Sequence, residues 1–240
     1  MTVATAPDRD IAYLVRRTIG EVLITVGVVL LLFASWQLWW TDVESNAAAR
    51  TSIDAFYGNL DDPKNPEKLD ALGMPITIGE DGVFGIIRIP RFGKDWVRPL
   101  VENTDWYPLT RGVGHYKGTV GPGTVGNFAL AGHRTTYGRP FHNIDLMVPG
   151  DKIIVETKST YFVYEMTASE IVAPWNMSVI APVPDKPGVK PTEAMITLTS
   201  CHPKFSAAQR FIVHGKLLMK AKRADGLPGD MWAVPDGAVQ

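Results

Sequence analysis

The stretch TLTSCHPKFSAAQR, residues 197–210, joins the only cysteine of the chain to an arginine nine positions later. The flanking runs AMITLTS and RFIVHGKLL are short and rich in β-branched residues, so both are predicted as strands. If they are adjacent and antiparallel, Cys201 ends one strand, Arg210 begins the next, and their α-carbons lie about 4.5–5.5 Å apart. A guanidinium there can bind a carbonyl that the sulfur attacks. The pair therefore predicts thiol chemistry at one rim of a sheet.

A thiol nucleophile needs a base or cation nearby, because a free thiol, with a pKa near 8.5, is mostly protonated at neutral pH. His133, in FALAGHRTTYG, ends a predicted strand and precedes a polar loop, so it is the predicted partner of Cys201. His202 is the weaker candidate, since neighbours on an extended chain project to opposite faces. The remaining histidines are predicted to be structural or surface groups: His115, His142 and His214.

The residue types alone leave a non-catalytic alternative open. Free cysteines are among the most commonly buried residues, and an arginine that opens a strand is usually a solvated charge. A β-domain that binds a partner around a buried Cys201 therefore fits the same residues. One cysteine, without a pair of histidines at a ligand spacing, predicts no metal site, and no cofactor is expected.

The elements that must position these side chains are short strands. From Gly79 onward, apolar runs such as FGIIRIP, NFALAGH and KIIVET alternate with glycine and proline turns, which is typical of an antiparallel sandwich or barrel. The turn-rich loop 181–191, APVPDKPGVKP, is long enough to form part of a groove. The sequence predicts an all-β catalytic domain.

An apolar segment precedes this domain. VLITVGVVLLLFASWQLWW, residues 22–40, carries no charge and spans about 28 Å as a helix, close to the thickness of a bilayer core. Arg9, Arg16 and Arg17 precede it and tryptophans end it, so an uncleaved anchor with a cytoplasmic amino terminus is predicted over a cleaved signal peptide. The lipid bilayer is thus an expected partner, and the catalytic domain is expected outside the cell membrane.

Length and charge set the remaining limits. The chain has 240 residues, which suits one folded domain plus extra segments, and its net charge of -1 without a basic run argues against nucleic-acid binding. We expect these parts: 1–20 cytoplasmic, 21–40 transmembrane, 41–78 extracytoplasmic spacer, 79–220 catalytic barrel and 221–240 loosely held tail. Within the spacer, alanine-rich residues 43–58 also favour a short helix along the membrane or the domain.

Three segments resemble the sortases, the membrane-anchored cysteine transpeptidases of Gram-positive bacteria. TLTSC followed by the arginine of HPKFSAAQR resembles their active-site signature, 126–153 resembles their histidine segment, and 84–102 resembles their first strands. The order histidine, cysteine, arginine is intact across roughly residues 79–218. AGHRTTYG together with TLTSCHPKFSAAQR is most similar to the class E sortases of actinobacteria.

The resemblance implies an eight-stranded β-barrel of the sortase type with short helices, preceded by one transmembrane helix. It implies Cys201 as nucleophile, His133 as acid/base and Arg210 as substrate-orienting cation. We also expect Tyr116, Thr199 and Ser200 to bind substrate, together with the 181–191 loop.

The implied substrate is a secreted protein with a carboxy-terminal LPXTG-like sorting signal, or LAXTG if class E is right. The implied acceptor is an amine of cell-wall peptidoglycan or of a pilin lysine. Hydrolysis of the thioacyl-enzyme by water is the alternative that residue types do not exclude.

Overall fold

The computed structural model describes residues 8–60, 67–75 and 82–239. The chain divides into two compact units, Met1–Thr41 and Asp42–Gln240. Helix α1, Asp8–Gly58, runs through the boundary between them. It contains no proline, and its apolar stretch is rich in the helix former leucine.

The first unit is, over its described residues, the amino-terminal part of α1. This part is long and apolar enough to cross a membrane. Its large apolar side chains are exposed, among them Leu31 and Trp39. The helix therefore has the length and surface of a membrane anchor, as predicted for residues 21–40.

The second unit contains, among its described residues, eight strands that close into a barrel in the order β1-β2-β3-β4-β7-β8-β6-β5. The β2/β3 and β4/β7 pairs are parallel, and the other pairs are antiparallel. The strands are β1 Val83–Arg88, β2 Val97–Glu102, β3 Val113–His115, β4 Gly126–Ala131, β5 Lys152–Glu156, β6 Thr160–Val172, β7 Ala194–His202 and β8 Gln209–Lys222. A short helix, α2 Trp106–Leu109, lies between β2 and β3. The predicted eight-stranded barrel with short helices is confirmed.

Alternating residues of the strands fill the barrel. On β7, Ile196 and Leu198 belong to the buried core cluster, which also contains Leu130 of β4 and Val213 of β8. Successive side chains of a strand point to opposite faces, so the intervening positions of β7 face away from this core. The outward face of β7 is where Cys201 lies.

The carboxy-terminal part of α1 packs on the barrel. Its buried positions recur every three or four residues, which is the repeat of a helix face that rests on a surface: Asp42, Ser45, Ala49, Ser52 and Phe56. Phe56 clusters with Val83, Ile86 and Val101. The first part of the predicted spacer is therefore a docked helix. The helix considered for residues 43–58 is present, and it packs on the domain.

The other predicted boundaries fall partly outside the described residues. This holds for the rest of the spacer, 61–66 and 76–78, and for Gly79, the expected start of the barrel. The carboxy-terminal segment, expected to be loosely held, is tied back to the 3-10 helix Pro90–Phe92. The Val239 amide donates to the Arg91 carbonyl over 3.1 Å, and Arg91 Nη1 donates to the Asp236 carbonyl over 2.6 Å.

Candidate active site

Strands β7 and β8 bring the cysteine and the arginine together. They are antiparallel, with Cys201 paired to Arg210 and Thr199 paired to Ile212. This is the register expected from the sequence, and paired residues of two strands share one face. Cys201 is the single cysteine of the chain, and the residue is partly exposed.

His133 follows β4, which runs parallel to β7. Ala131 is level with Thr199, and the Gly132 amide continues the ladder by donating to the Thr199 carbonyl over 3.1 Å. If the parallel register continued for two residues past Ala131, His133 would be level with Cys201. The histidine thus follows the end of β4, the cysteine lies at the end of the neighbouring β7, and the arginine lies at the start of β8.

The His133 ring is partly covered. Tyr137 lies against it with a ring-centroid distance of 5.0 Å, and the ring of Trp106 in turn meets Tyr137 at 6.1 Å. Burial disfavours the charged imidazolium and lowers the pKa of His133 below its ordinary value of 6.5. Its Nε2 is buried and has no hydrogen-bond partner among the described residues. A buried nitrogen without a partner is costly, and such groups are often retained for chemistry.

Arg210 is held at the end of the β7–β8 loop. Its Nη1 donates to the carbonyls of Ala207 and Gln209, both over 3.0 Å. The side chain is partly exposed. A guanidinium has five donors in a planar fork, so those not directed at this loop remain for a bound carbonyl or oxyanion.

Arg134, which the sequence analysis did not single out, contacts the backbone of Cys201. It is 2% exposed, and its Nη1 donates to the Cys201 carbonyl over 3.2 Å. Its Nε donates to the His142 carbonyl, and its Nη2 pairs with Asp145 at 2.9 Å. Its position next to His133 was the one clue in the sequence. The residue type alone does not distinguish a buried guanidinium from a solvated one.

Of the three predicted substrate-binding residues, two lie on the Cys201 face of the sheet and one lies on the opposite face. The Tyr116 and Thr199 hydroxyls share a hydrogen bond of 3.0 Å on the face that carries Cys201. Ser200 is buried, and its hydroxyl donates to the Gly132 carbonyl over 2.8 Å. In this geometry Ser200 contacts the segment that leads to His133, on the opposite face of β7.

The long loop between β6 and β7 is attached to the same sheet face by a buried polar network. Asn127 Nδ2 donates to the Val179 and Ala181 carbonyls, and its Oδ1 accepts from Thr197 over 2.9 Å. Thr197 also meets His214 Nδ1 at 2.9 Å. These bonds fix the start of the 181–191 loop, which is predicted to form part of the groove.

His214 belongs to a further cluster, with Glu170 and Asp185, whose ligand atoms lie within 4.8 Å of one another. Its Nε2 meets Glu170 at 3.2 Å and Asp185 at 3.7 Å. The three residues come from β6, the β6–β7 loop and β8, so a search for ligand spacing in the sequence does not find them. In the structure these side chains are each other's partners.

The other histidines have different surroundings. His115 is buried between Glu102 at 2.8 Å and Thr119 at 2.8 Å. His142 Nδ1 lies 3.0 Å from the Arg134 carbonyl oxygen. The His202 ring faces Phe211 at 5.9 Å, and its Nδ1 is buried without a partner among the described residues. Among the histidines, His133 alone extends the β4 ladder towards Cys201.

Comparison with known proteins gives one consistent family. A sortase domain profile matches residues 87–218. Sortase SrtE1 of Streptomyces coelicolor is 39% identical over 233 residues, which are 94% of this chain and 63% of SrtE1. Sortase SrtE2 of the same organism is 32% identical over 218 residues, covering 87% of this chain and 83% of SrtE2.

A solved structure agrees with these sequence matches. The crystal structure of sortase E1 from Streptomyces coelicolor with a tripeptide in the active site superposes with a TM-score of 0.57 at 38% identity. The match covers 64% of this chain and 98% of that one. Fold, sequence and the register of the three candidate residues therefore point to the same group of proteins.

Proposed function

This chain belongs to the sortase family, with class E sortases among its relatives, and we propose that it is a membrane-anchored cysteine transpeptidase. It cleaves a sorting signal between threonine and glycine and joins the new carboxyl end to an amine. The observation that carries the proposal is the register that aligns Cys201 with Arg210 on one side and with the His133 segment on the other.

In the first half of the reaction, the Cys201 thiolate attacks the threonine carbonyl carbon of the signal. A C–S bond forms and the carbonyl oxygen becomes an oxyanion. The C–N bond to glycine then breaks, and the His133 imidazolium gives its proton to the departing amine. The products are a thioacyl-enzyme, a neutral imidazole and the released glycine peptide.

In the second half, an acceptor amine attacks the thioester carbonyl. The neutral His133 takes the proton that this amine loses, the C–S bond breaks, and the thiolate returns with a new amide formed. Arg210 holds the carbonyl oxygen in both halves through charge-assisted hydrogen bonds, which strengthen as negative charge develops. No outside reductant or cofactor enters this balance.

Burial of His133 affects the fraction of enzyme molecules that carry the protonated imidazole needed for the first step. A lowered pKa leaves the imidazole mostly neutral at neutral pH, while the reaction begins from an imidazolium and a thiolate. Only a small fraction of molecules then carries the active pair. Slow turnover with a bell-shaped pH dependence follows from this population.

The sheet face beside these residues supports a peptide substrate. Tyr116 and Thr199 form a bonded pair on the Cys201 face, and the 181–191 loop begins at carbonyls held by Asn127. By its family, the chain takes an LPXTG-like signal, or LAXTG as in class E, on a secreted protein. The acceptor is an amine of peptidoglycan or of a pilin lysine.

The location follows from the anchor. The apolar part of α1 is long enough to cross a bilayer, and arginines precede it. We propose a single-pass cell-membrane protein with a cytoplasmic amino terminus and its barrel on the outer side, where secreted substrates emerge.

The test uses the full chain in detergent micelles, LPXTG and LAXTG pentapeptide signals, and triglycine, with products read by mass spectrometry. We expect a thioester on Cys201 and a ligated peptide with triglycine, and neither with the matched variant Cys201→Ala. Cleaved acid alone, even at high triglycine, would identify a thiol hydrolase. No thioester with any signal, together with a sulfur that thiol reagents do not reach, would leave the non-catalytic binding domain as the explanation.

A further inference from the structure

The turn that follows His133 has an unfavourable backbone. Tyr137, Gly138 and Arg139 have φ values of 52, 73 and 46 degrees, all in the left-handed region. Glycine enters this region freely, whereas tyrosine and arginine do so at a cost. A strained turn of this kind persists only where its surroundings hold it.

Asp42 of α1 holds this turn. Its Oδ1 accepts a hydrogen bond from the Gly138 amide over 2.9 Å, and its Oδ2 pairs with Arg139 Nε at 2.7 Å. Asp42 is 8% exposed, so the bond to Gly138 is shielded from water, whereas half of the Arg139 side chain is exposed. The shielded amide bond is therefore the stronger of the two restraints.

Neighbouring contacts make the fit specific. The Gly138 carbonyl accepts from Arg98 Nη2 over 3.0 Å, so both backbone groups of this residue are bonded. A β-carbon on Gly138 would come within 3.0 Å of Asn46 Oδ1. The turn is thus seated directly on the first helical turns of the second unit.

The turn carries the ring that covers the histidine. Tyr137 is the residue immediately before Gly138, and its ring lies 5.0 Å from that of His133. Holding Gly138 therefore fixes the backbone from which Tyr137 reaches the imidazole. Tyr137 thus lies against a ring whose burial lowers its pKa.

We propose that Asp42 is a positioning residue for His133, acting through the strained 137–139 turn and the Tyr137 ring. The inference rests on the proposed transpeptidase function. Asp42 lies two residues after the predicted anchor, and the proposal gives it a role in positioning the imidazole of His133.

The test compares four variants of the full chain in detergent micelles, one of which, Tyr137→Leu, changes the covering ring itself. Asp42→Ala removes both restraints. Asp42→Asn keeps an oxygen that accepts from the Gly138 amide. Glu44→Gln is the control, since it removes a negative charge from an exposed position of the same helix. Rates are divided by the concentration of folded protein, measured by near-ultraviolet circular dichroism, so that unfolded protein does not count.

We expect Asp42→Ala to lower kcat by about tenfold, with KM for the signal peptide changed less than about twofold, because misplacement of a catalytic group affects the reacting state. Asp42→Asn should stay within about threefold of the unmodified chain. The His133 ring resonances should shift in Asp42→Ala and not in Glu44→Gln, and Tyr137→Leu should shift them in the same direction.

The outcomes distinguish failure of the proposed function from failure of the proposed role of Asp42. If the unmodified chain forms no thioester, the proposed function fails. If it is active and Asp42→Ala matches Glu44→Gln in kcat and in the His133 resonances, the function stands and the positioning role of Asp42 is overturned. A loss confined to the amount of folded protein, with normal kcat per folded molecule, overturns it as well.

Discussion

At the scale of single residues, His133 combines a buried nitrogen with a pKa below its ordinary value. The unfolded chain then binds more protons than the folded one between the folded pKa and about 6.5. The contribution of this residue to stability is therefore present above about pH 6.5 and is lost as the pH falls through the folded pKa. Acid therefore weakens the fold through this residue.

The cover over His133 gives a direct prediction. In Tyr137→Ala the ring becomes more exposed to water, so its pKa should rise towards 6.5. The measurement is an NMR titration of the histidine ring in a Cys201→Ala background, which removes coupling to the thiol. A matched Tyr107→Ala change, at an exposed ring, should leave the titration as it was. A His133 that titrates at or above 6.5 before any change would contradict the burial argument.

Arg134 gives a second prediction at this scale. Arg134→Met removes a charged donor from the carbonyls of Cys201 and His142, and it removes the partner of Asp145. Because Asp145 can still reach water, we expect a loss of about 2–4 kcal/mol of unfolding free energy. Denaturant unfolding followed by near-ultraviolet circular dichroism measures it.

The exposed Lys94→Met serves as the control for this change and should shift stability by no more than about 0.5 kcal/mol. The reactivity of the Cys201 thiol should also change in Arg134→Met, since its carbonyl loses a charged donor. Equal stability of the two variants would mean that Arg134 does not support the β7 end.

At the scale of elements, the docked part of α1 contributes to the stability of the fold, which a linker would not do. Phe56 is 6% exposed and packs on Val83, Ile86 and Val101. Phe56→Ala should lower the unfolding free energy of the barrel unit by about 3–5 kcal/mol. Val43→Ala, an exposed position of the same helix, is the matched control and should have little effect. A small loss in Phe56→Ala would show that the helix rests on the barrel without stabilising it.

The elements also show what the sequence could predict. Strand runs around Cys201 and Arg210 are short, β-branched and bounded by turns, so β7, β8 and their register followed from local pattern. The contact of Asp42 with Gly138 joins residues far apart in the chain, and no local pattern reports it. The parallel β4/β7 pairing likewise depends on barrel closure.

At the scale of the whole molecule, the chain offers one thiol, and the proposed topology puts it outside the cell. A membrane-impermeant maleimide added to intact cells should therefore label this protein through Cys201. Cys201→Ala should remove the label, and permeabilising the cells should not increase it. Labelling that appears only after permeabilisation would reverse the proposed orientation.

The two faces of β7 have different surroundings: one faces the core of the barrel and the other faces outward. Leu198 and Ser200 face inward, while Thr199 and Cys201 face outward. Under the proposed function, substitutions at outward positions act on the peptide-binding face and leave the inward core residues unchanged. A library that randomises Thr199 and Tyr116 while keeping the inward residues would therefore let directed evolution of the proposed transpeptidase search new signals.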